Sequence, residues 1–188
     1  YADLGCTGSK TNKTPRLDEL ARQGMRFTSF YAQSVCGPSR SALLTGRYPM
    51  RSKGWSMPAD EITWAECMRT VGYQTACIGK WDVSNRRPII ERMPLAQGFD
   101  YFYGALGAND NGRVTFHEGN EKAGTTSDMG SLTRLYTDRA INWLEKKRDP
   151  ARPFALYVAH TMMHTIIDAS PAFKGKSAGG LYGDVVEE

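Results

Sequence analysis

Long apolar runs are missing from this chain. No stretch approaches the roughly 20 residues that a membrane-spanning helix needs, and no signal peptide begins at Tyr1. Cysteine is scarce: the 4 present, Cys6, Cys36, Cys67 and Cys77, show neither a Cys-x-x-Cys pair nor zinc-ligand spacing. That argues against a zinc site, a dithiol redox centre and a disulfide framework. Cys67 and Cys77 lie among apolar neighbours and are expected to be core thiols. No charge of one sign dominates: 24 Lys and Arg stand against 20 Asp and Glu, a net +4 spread along the sequence with no long basic run. Such a balance suits anionic ligands loosely and gives no argument for nucleic acid. Internal repeats and low-complexity tracts are also lacking. Gly175-Lys176-Ser177 looks like the end of a phosphate-binding loop. However, Ser170 stands where the first glycine is required, and no strand feeds the segment. Asp3 is isolated and Asp18 falls on a helix, so neither suggests a metal pair.

What remains is the composition of an ordinary globular protein, 40% hydrophobic and 23% charged, enough for one well-buried core. Thr14-Pro15 caps and opens a helix that Gly24 stops. Met25 to Gln33 alternates aromatic and β-branched residues and predicts a strand. Cys36 opens a second helix, and the capping box Thr63-Trp64-Ala65-Glu66 opens a third that ends at Gly72. Tyr73–Gly79, Gly98–Tyr103 and Pro153–Ala159 read as strands, and Leu132–Lys147 as an amphipathic helix halted by Pro150. Residues 104–130, rich in Gly, Asn, Asp and Thr, read as a loop or an insertion over the site, and 169–184, with four glycines, as another loop. Helix and strand alternate, which predicts an α/β fold: a mainly parallel sheet with helices on both faces. Ligands in such sheets bind beyond the carboxyl ends of the strands, and Cys36, Lys80 and His164 each fall just after a predicted strand.

The most informative stretch is Cys36-Gly37-Pro38-Ser39-Arg40-Ser41-Ala42-Leu43-Leu44-Thr45-Gly46-Arg47. It resembles the signature of the type I sulfatases: Cys-x-Pro-Ser-Arg, an apolar run, then Thr-Gly-Arg. The resemblance implies an alkaline-phosphatase-like fold and a sulfuric ester hydrolase. In that family a formylglycine-generating enzyme oxidises the cysteine to an aldehyde, whose hydrate attacks the sulfur of a sulfate ester. One hydroxyl attacks and the other later expels sulfate, so release is built into the nucleophile. Residue 36 at a helix N-terminus would lie where backbone N–H groups and the helix dipole favour an anion. Arg40, four residues on, can reach back to hold the modified side chain. Without the flanking match, Cys36 would read as an ordinary buried thiol.

Gly79-Lys80-Trp81 resembles the family's Gly-Lys-Trp-His segment, whose lysine contacts substrate sulfate; Lys80 is placed to neutralise charge on the sulfate oxygens. Asp82 departs from the pattern, standing where the family has a histidine. A carboxylate can also take the hydrate's proton, but its charge beside sulfate is unfavourable unless it pairs with Arg86, Arg87 or a metal. The alternative is an aspartate capping the turn at residues 83–85. Residues 153–164 resemble the family's apolar strand ending in Pro-His. His164 falls at the histidine that contacts sulfate and protonates the leaving oxygen, and Met163 replaces the usual proline. His160 is the rival for that role, and His117 is expected at the surface.

Residues 1–188 therefore resemble the front part of a sulfatase catalytic domain, one domain truncated at both ends. The family's calcium ion touches the formylglycine, so residue 36 is the one expected metal contact here. The Asp-Asp pair is expected just before Tyr1, on a first strand, and the Asp-Asn pair and a second lysine after Glu188. The substrate expected from the resemblance is a carbohydrate or aryl sulfate, and the compartment the periplasm or the outside. Two other readings stay open. One is a phosphoester or phosphonate monoester hydrolase of the same superfamily, and the other a non-catalytic domain that binds sulfated ligands.

Overall fold

A computed structural model describes residues 2–52 and 56–188; Tyr1, before which the Asp-Asp pair is expected, lies outside them. A five-stranded sheet runs in the order β4-β3-β2-β1-β5. Its strands are β1 (Gln74–Lys80), β2 (Tyr101–Ala105), β3 (Val114–Glu118), β4 (Glu121–Thr126) and β5 (Phe154–Ala159). β1 pairs in parallel with both β2 and β5, while β3 and β4 add an antiparallel hairpin beyond β2. Around it lie α1 (Pro15–Gln23), α2 (Cys36–Thr45), α3 (Trp64–Thr70), α4 (Leu132–Asn142) and α5 (Gly180–Glu187). A π turn, Trp143–Lys147, continues α4.

Alternation along β1 explains the layering. Ala76 and Ile78 point to one face, where they meet Leu132 and Tyr136 of α4 with Tyr103, Ala105 and Phe116. Cys77 points to the other, against Leu44 of α2, Ala65 of α3 and Phe102. Both faces are thus covered, which a strand buried through six of its seven residues requires. Each fully buried Leu or Phe here contributes about 1.5–3 kcal/mol relative to exposure. β1 and β5 approach closely at their carboxyl ends because Gly79 has φ +108° and no side chain. A Cβ there would sit 2.1 Å from the carbonyl oxygen of Ala159. β5 forms an edge of the sheet, and its Phe154 and Val158 are 43% and 37% exposed.

Several expectations fail. Met25–Gln33 forms no strand; Phe27, Phe30 and Tyr31 stand exposed, and the segment pairs with none of the described strands. Cys36 therefore does not follow a strand. Residues 104–130 are only partly loop: residues 106–113 are irregular, but 114–126 hold the hairpin, closed by Gly119-Asn120 with Gly119 in the left-handed region, φ +59°. The segment 169–184 ends in α5 instead of remaining loop. Thr14 does not cap α1 with its side chain; its hydroxyl donates to Asp18 and accepts from the Gly5 N–H. Cys67 is exposed, because it falls on the outer side of the short α3, while Cys77 is the core thiol, its pKa pushed far up by burial. The capping box at Thr63 and Glu66 forms as read, with both reciprocal hydrogen bonds present.

Candidate active site

Cys36 is the first residue of α2, and the rest of its motif builds the helix beneath it. Ser39 donates its hydroxyl to the carbonyl of Val35 (2.7 Å), tightening the first turn. Thr45 bonds back to the Ser41 carbonyl (2.7 Å), and Gly46 takes the left-handed cap, its N–H reaching the Ala42 carbonyl (2.8 Å). Arg47 then pairs with the nearly buried Glu61 at 2.9 Å. The Thr-Gly-Arg part of the signature is thus an anchor that stops the helix and fixes its far end. At the near end, Arg40 donates to the Lys80 carbonyl (2.7 Å) and to the Tyr157 hydroxyl (3.2 Å), tying α2 to the end of β1 and to β5. Burial raises the Tyr157 pKa, with Arg40 opposing.

β1 ends in Lys80, and the chain turns at Asp82 with φ +59°. Both side chains are buried, 2% and 1% exposed, with Lys80 Nζ 3.1 Å from Asp82 Oδ2. That contact is an ion pair and not an aligned hydrogen bond, since Oδ2 has no hydrogen-bond partner among the described residues. Arg86 Nε lies 2.9 Å from the other oxygen, Oδ1. Burial acts to raise the Asp82 pKa, but the neighbouring Cys36 thiol, the Lys80 ammonium and the Arg86 guanidinium outweigh it and hold it below the usual value. Of the partners left open for Asp82, Arg86 makes the pairing, and Asp82 makes no cap on the following turn.

His164 lies beyond the end of β5. Its Nδ1 is 2.8 Å from the Thr165 carbonyl oxygen, which can only accept, so Nδ1 carries the proton in the neutral ring. Its Nε2 is 3.6 Å from Asp110 Oδ1, and Asp110 Oδ2 is 2.6 Å from Arg86. Cys36, Arg40, Lys80, Asp82 and His164 are thereby joined through successive contacts at the carboxyl ends of β1 and β5. Asp110 and Arg86 complete the chain. Asp110 was missed because the segment around it read as a loop with no chemical pattern. His160 stands elsewhere, facing Tyr136 with ring centroids 6.2 Å apart, in a cleft that Pro15 and Val185 also line. Burial lowers its pKa, Glu188 opposing. His117 is half-buried in the hairpin instead of at the surface, its pKa lowered by burial and by Lys122.

The Sγ of Cys36 marks where the hydroxyls of an oxidised residue 36 would stand. It opens to a cavity of about 580 Å³ lined by Phe30, Tyr31, Arg40, Tyr157 and Val158. A second, of about 340 Å³, lies past Arg86 and Asp110. Among the described residues no three His, Cys, Asp or Glu side chains converge to hold a metal ion. Asp82, a carboxylate beside Cys36, is already engaged by two cations. These residues do not by themselves fit calcium, which takes six to eight oxygens. The Gly175-Lys176-Ser177 look-alike does bind an anion, but its own: the Asp184 carboxylate accepts all three N–H groups at 2.7, 3.0 and 2.7 Å. Those bonds hold the Asp184 pKa down.

The family model Sulfatase matches residues 1–183. The chain belongs to the sulfatase family. Mouse N-acetylgalactosamine-6-sulfatase is 33% identical, with 100% of this chain and 42% of that protein covered. Mouse steryl-sulfatase is 31% identical over 99% of this chain and 44% of its own length. The sulfatase chain thus spans less than half of the curated relatives it matches. Among solved structures, the PsFucS1 sulfatase from Pseudoalteromonas sp. superposes with TM-score 0.81 at 24% identity, over 100% of this chain and 46% of that one. A structure of BT4656 in complex with its substrate D-glucosamine-2-N,6-O-disulfate matches with TM-score 0.70 at 30% identity, over 87% and 32%. These likenesses give the sulfatase chain an alkaline-phosphatase-like fold. Formylglycine-dependent catalysis is general to the family. No described helix of this sulfatase chain is long and apolar enough to cross a membrane.

Proposed function

We propose that residues 1–188 are the front portion of a sulfatase catalytic domain, and that the protein hydrolyses a sulfate monoester through a formylglycine formed from Cys36. The observation that carries this reading is the placement of Cys36 on the first turn of α2, against the buried Lys80–Asp82 pair and tethered there by Arg40. Once formed and hydrated, the modified side chain supplies two hydroxyls on one carbon, one to attack sulfur and one to expel sulfate.

The chain's own groups divide the remaining work. Arg40, fixed by the Lys80 carbonyl and the Tyr157 hydroxyl, directs positive charge toward residue 36. Lys80 neutralises the sulfate oxygens as the ester bond breaks, an interaction strengthened by the burial of its side chain. Asp82, ionised because its pKa is held down, accepts the proton of a hydrate hydroxyl in place of the family's histidine. His164, whose Nε2 lies 3.6 Å from Asp110 Oδ1, is the group that gives a proton to the departing oxygen.

Calcium belongs to this reading as the metal of the whole protein, with residue 36 as its one contact from this chain. The substrate class is a sulfated glycan or aryl sulfate, in keeping with relatives named for N-acetylgalactosamine 6-sulfate and a neighbour seen with a sulfated glucosamine. The formylglycine-generating enzyme is the partner in maturation, and the periplasm or the exterior is the proposed compartment.

The test is the mass of the proteolytic peptide carrying Cys36 from protein made with that enzyme, paired with sulfate release from an aryl sulfate. Conversion to the aldehyde, with release abolished by Cys36→Ala, is the expected result. An unmodified cysteine with sulfated-sugar binding unaffected by Cys36→Ala defeats the reading in favour of a binding domain. Faster phosphate than sulfate release on matched aryl esters defeats it in favour of a phosphoester hydrolase.

A further inference from the structure

An aspartate beside a bound sulfate needs a counter-charge that stays in place when the substrate arrives. Lys80 cannot fill that need alone, because its ammonium is the group that turns to the sulfate oxygens, and its contact with Asp82 Oδ2 already lacks hydrogen-bond alignment. Arg86 is differently placed. Its Nε holds Asp82 Oδ1 at 2.9 Å while its Nη1 holds Asp110 Oδ2 at 2.6 Å, so one rigid guanidinium spans two carboxylates. Asp110 in turn presents its other oxygen to His164 Nε2 at 3.6 Å.

The backbone is shaped around this bridge. Asp82, Asn85 and Arg86 have φ of +59°, +57° and +56°, a conformation uncommon outside glycine and costly for an arginine. Gly107 forms the floor under the Arg86 stem, since a Cβ there would lie 3.2 Å from its Cγ and Cδ. The fully buried Asn109 donates to the carbonyls of His164 (3.3 Å) and Ile166 (2.7 Å), which locks the Asp110 loop to the His164 loop.

We propose that Arg86 is a positioning residue for the sulfatase reaction: it carries the charge balance of Asp82 when Lys80 engages the sulfate, and through Asp110 it holds His164 in register with residue 36. This rests on the reading above that Asp82, Lys80 and His164 serve one site. It also explains how this chain accommodates an aspartate where the family signature has a histidine.

A double-mutant cycle in the mature protein tests it, read by 4-nitrophenyl sulfate turnover and, separately, by calorimetric binding of inorganic sulfate. Arg86→Gln is expected to lower kcat/KM and weaken sulfate binding roughly 10- to 100-fold, and to cost less than about 3-fold when Asp82 is already Asn. Equal penalties in the two backgrounds, or none, overturn the proposal, since a merely structural arginine has the same effect whatever residue 82 is. Asp110→Asn, at a half-exposed position that folding tolerates, is expected to lower kcat with KM within about 2-fold; a change in KM alone, or in neither, overturns the link to His164. Should Arg86→Gln fail to fold, the Asp110→Asn result decides. Wild-type protein that binds sulfate but releases none refutes the enzymatic reading. In that case the cycle on sulfate affinity still decides the role of Arg86.

Discussion

Replacing Lys80 by Met probes the most demanding pair in the molecule. The Lys80 and Asp82 side chains are 2% and 1% exposed, with nitrogen and oxygen 3.1 Å apart. Removing one member of such a buried pair typically costs about 3–5 kcal/mol, because the other charge is left without compensation. Arg86 still holds Asp82 Oδ1 at 2.9 Å, so Lys80→Met belongs at the lower end, about 3 kcal/mol. Asp82→Asn leaves a buried ammonium with no carboxylate and belongs higher, at about 4 kcal/mol. The double variant Lys80→Met/Asp82→Asn has no stranded charge between these two positions. Its cost is therefore expected near about 4 kcal/mol, well below the sum, a coupling of about 3 kcal/mol. Urea unfolding followed by tryptophan fluorescence reads this directly, since Trp81 lies between the two residues and is fully buried. For a chain of this size the Lys80→Met loss corresponds to a fall in Tm of roughly 6–12 °C. Additivity within about 0.5 kcal/mol, or a Lys80→Met cost under about 1 kcal/mol, refutes the argument that the two charges depend on each other.

Gly79→Ala is expected to be severely destabilising, because its Cβ meets the Ala159 carbonyl at 2.1 Å; a loss of β1–β5 amide protection in hydrogen exchange checks it. Thr63→Ala removes the capping box of α3 and a bond to the Gln97 carbonyl, for about 1–2 kcal/mol by chemical denaturation. For acid, the folded pKa of Asp82 is depressed, so its contribution is present above the unfolded value of about 3.9 and is lost as pH falls through the folded value. Acid unfolding of Asp82→Asn should accordingly show a flatter pH dependence in that range. For alkali the sign reverses: burial pushes the Tyr136 pKa up to about 12, so the stabilisation it gives is complete below about 10 and is lost as pH rises toward 12. Tyr136→Phe should remove the last phenol to ionise in an ultraviolet titration.

The parts of the fold legible from sequence are those where local chemistry and tertiary packing agree. The capping box at Thr63, the apolar runs of β1 and β5, and the period of α4 all point one way, and each element stands where it was expected. Met25–Gln33 shows the opposite case: alternation yields a strand only when the segment hydrogen-bonds to a neighbouring strand, and among the described residues this one does not. The hairpin was hidden by composition. Glycines and threonines around Gly119-Asn120 suggest a loop when counted, yet a two-residue Gly-Asn turn between Glu118 and Glu121 is itself a hairpin signal. In the candidate site, the motif residues could be named because signature spacing carries them. Arg86 was visible only as one possible partner for Asp82, and Asp110 not at all, since ion pairs between residues 24 apart in sequence leave no periodic trace.

The outer rail of β5 has a practical meaning for handling this polypeptide. Its backbone donors and acceptors run along an open margin of the sheet, flanked by the half-exposed rings and branched chains of Phe154 and Val158 and by Phe30 and Tyr31 nearby. Such a margin is a template for whatever extended segment reaches it first, another copy of itself included. Residues 1–188 prepared alone should therefore self-associate as their concentration rises, and a charged substitution at Val158 should delay that onset without disturbing the opposite face of the sheet.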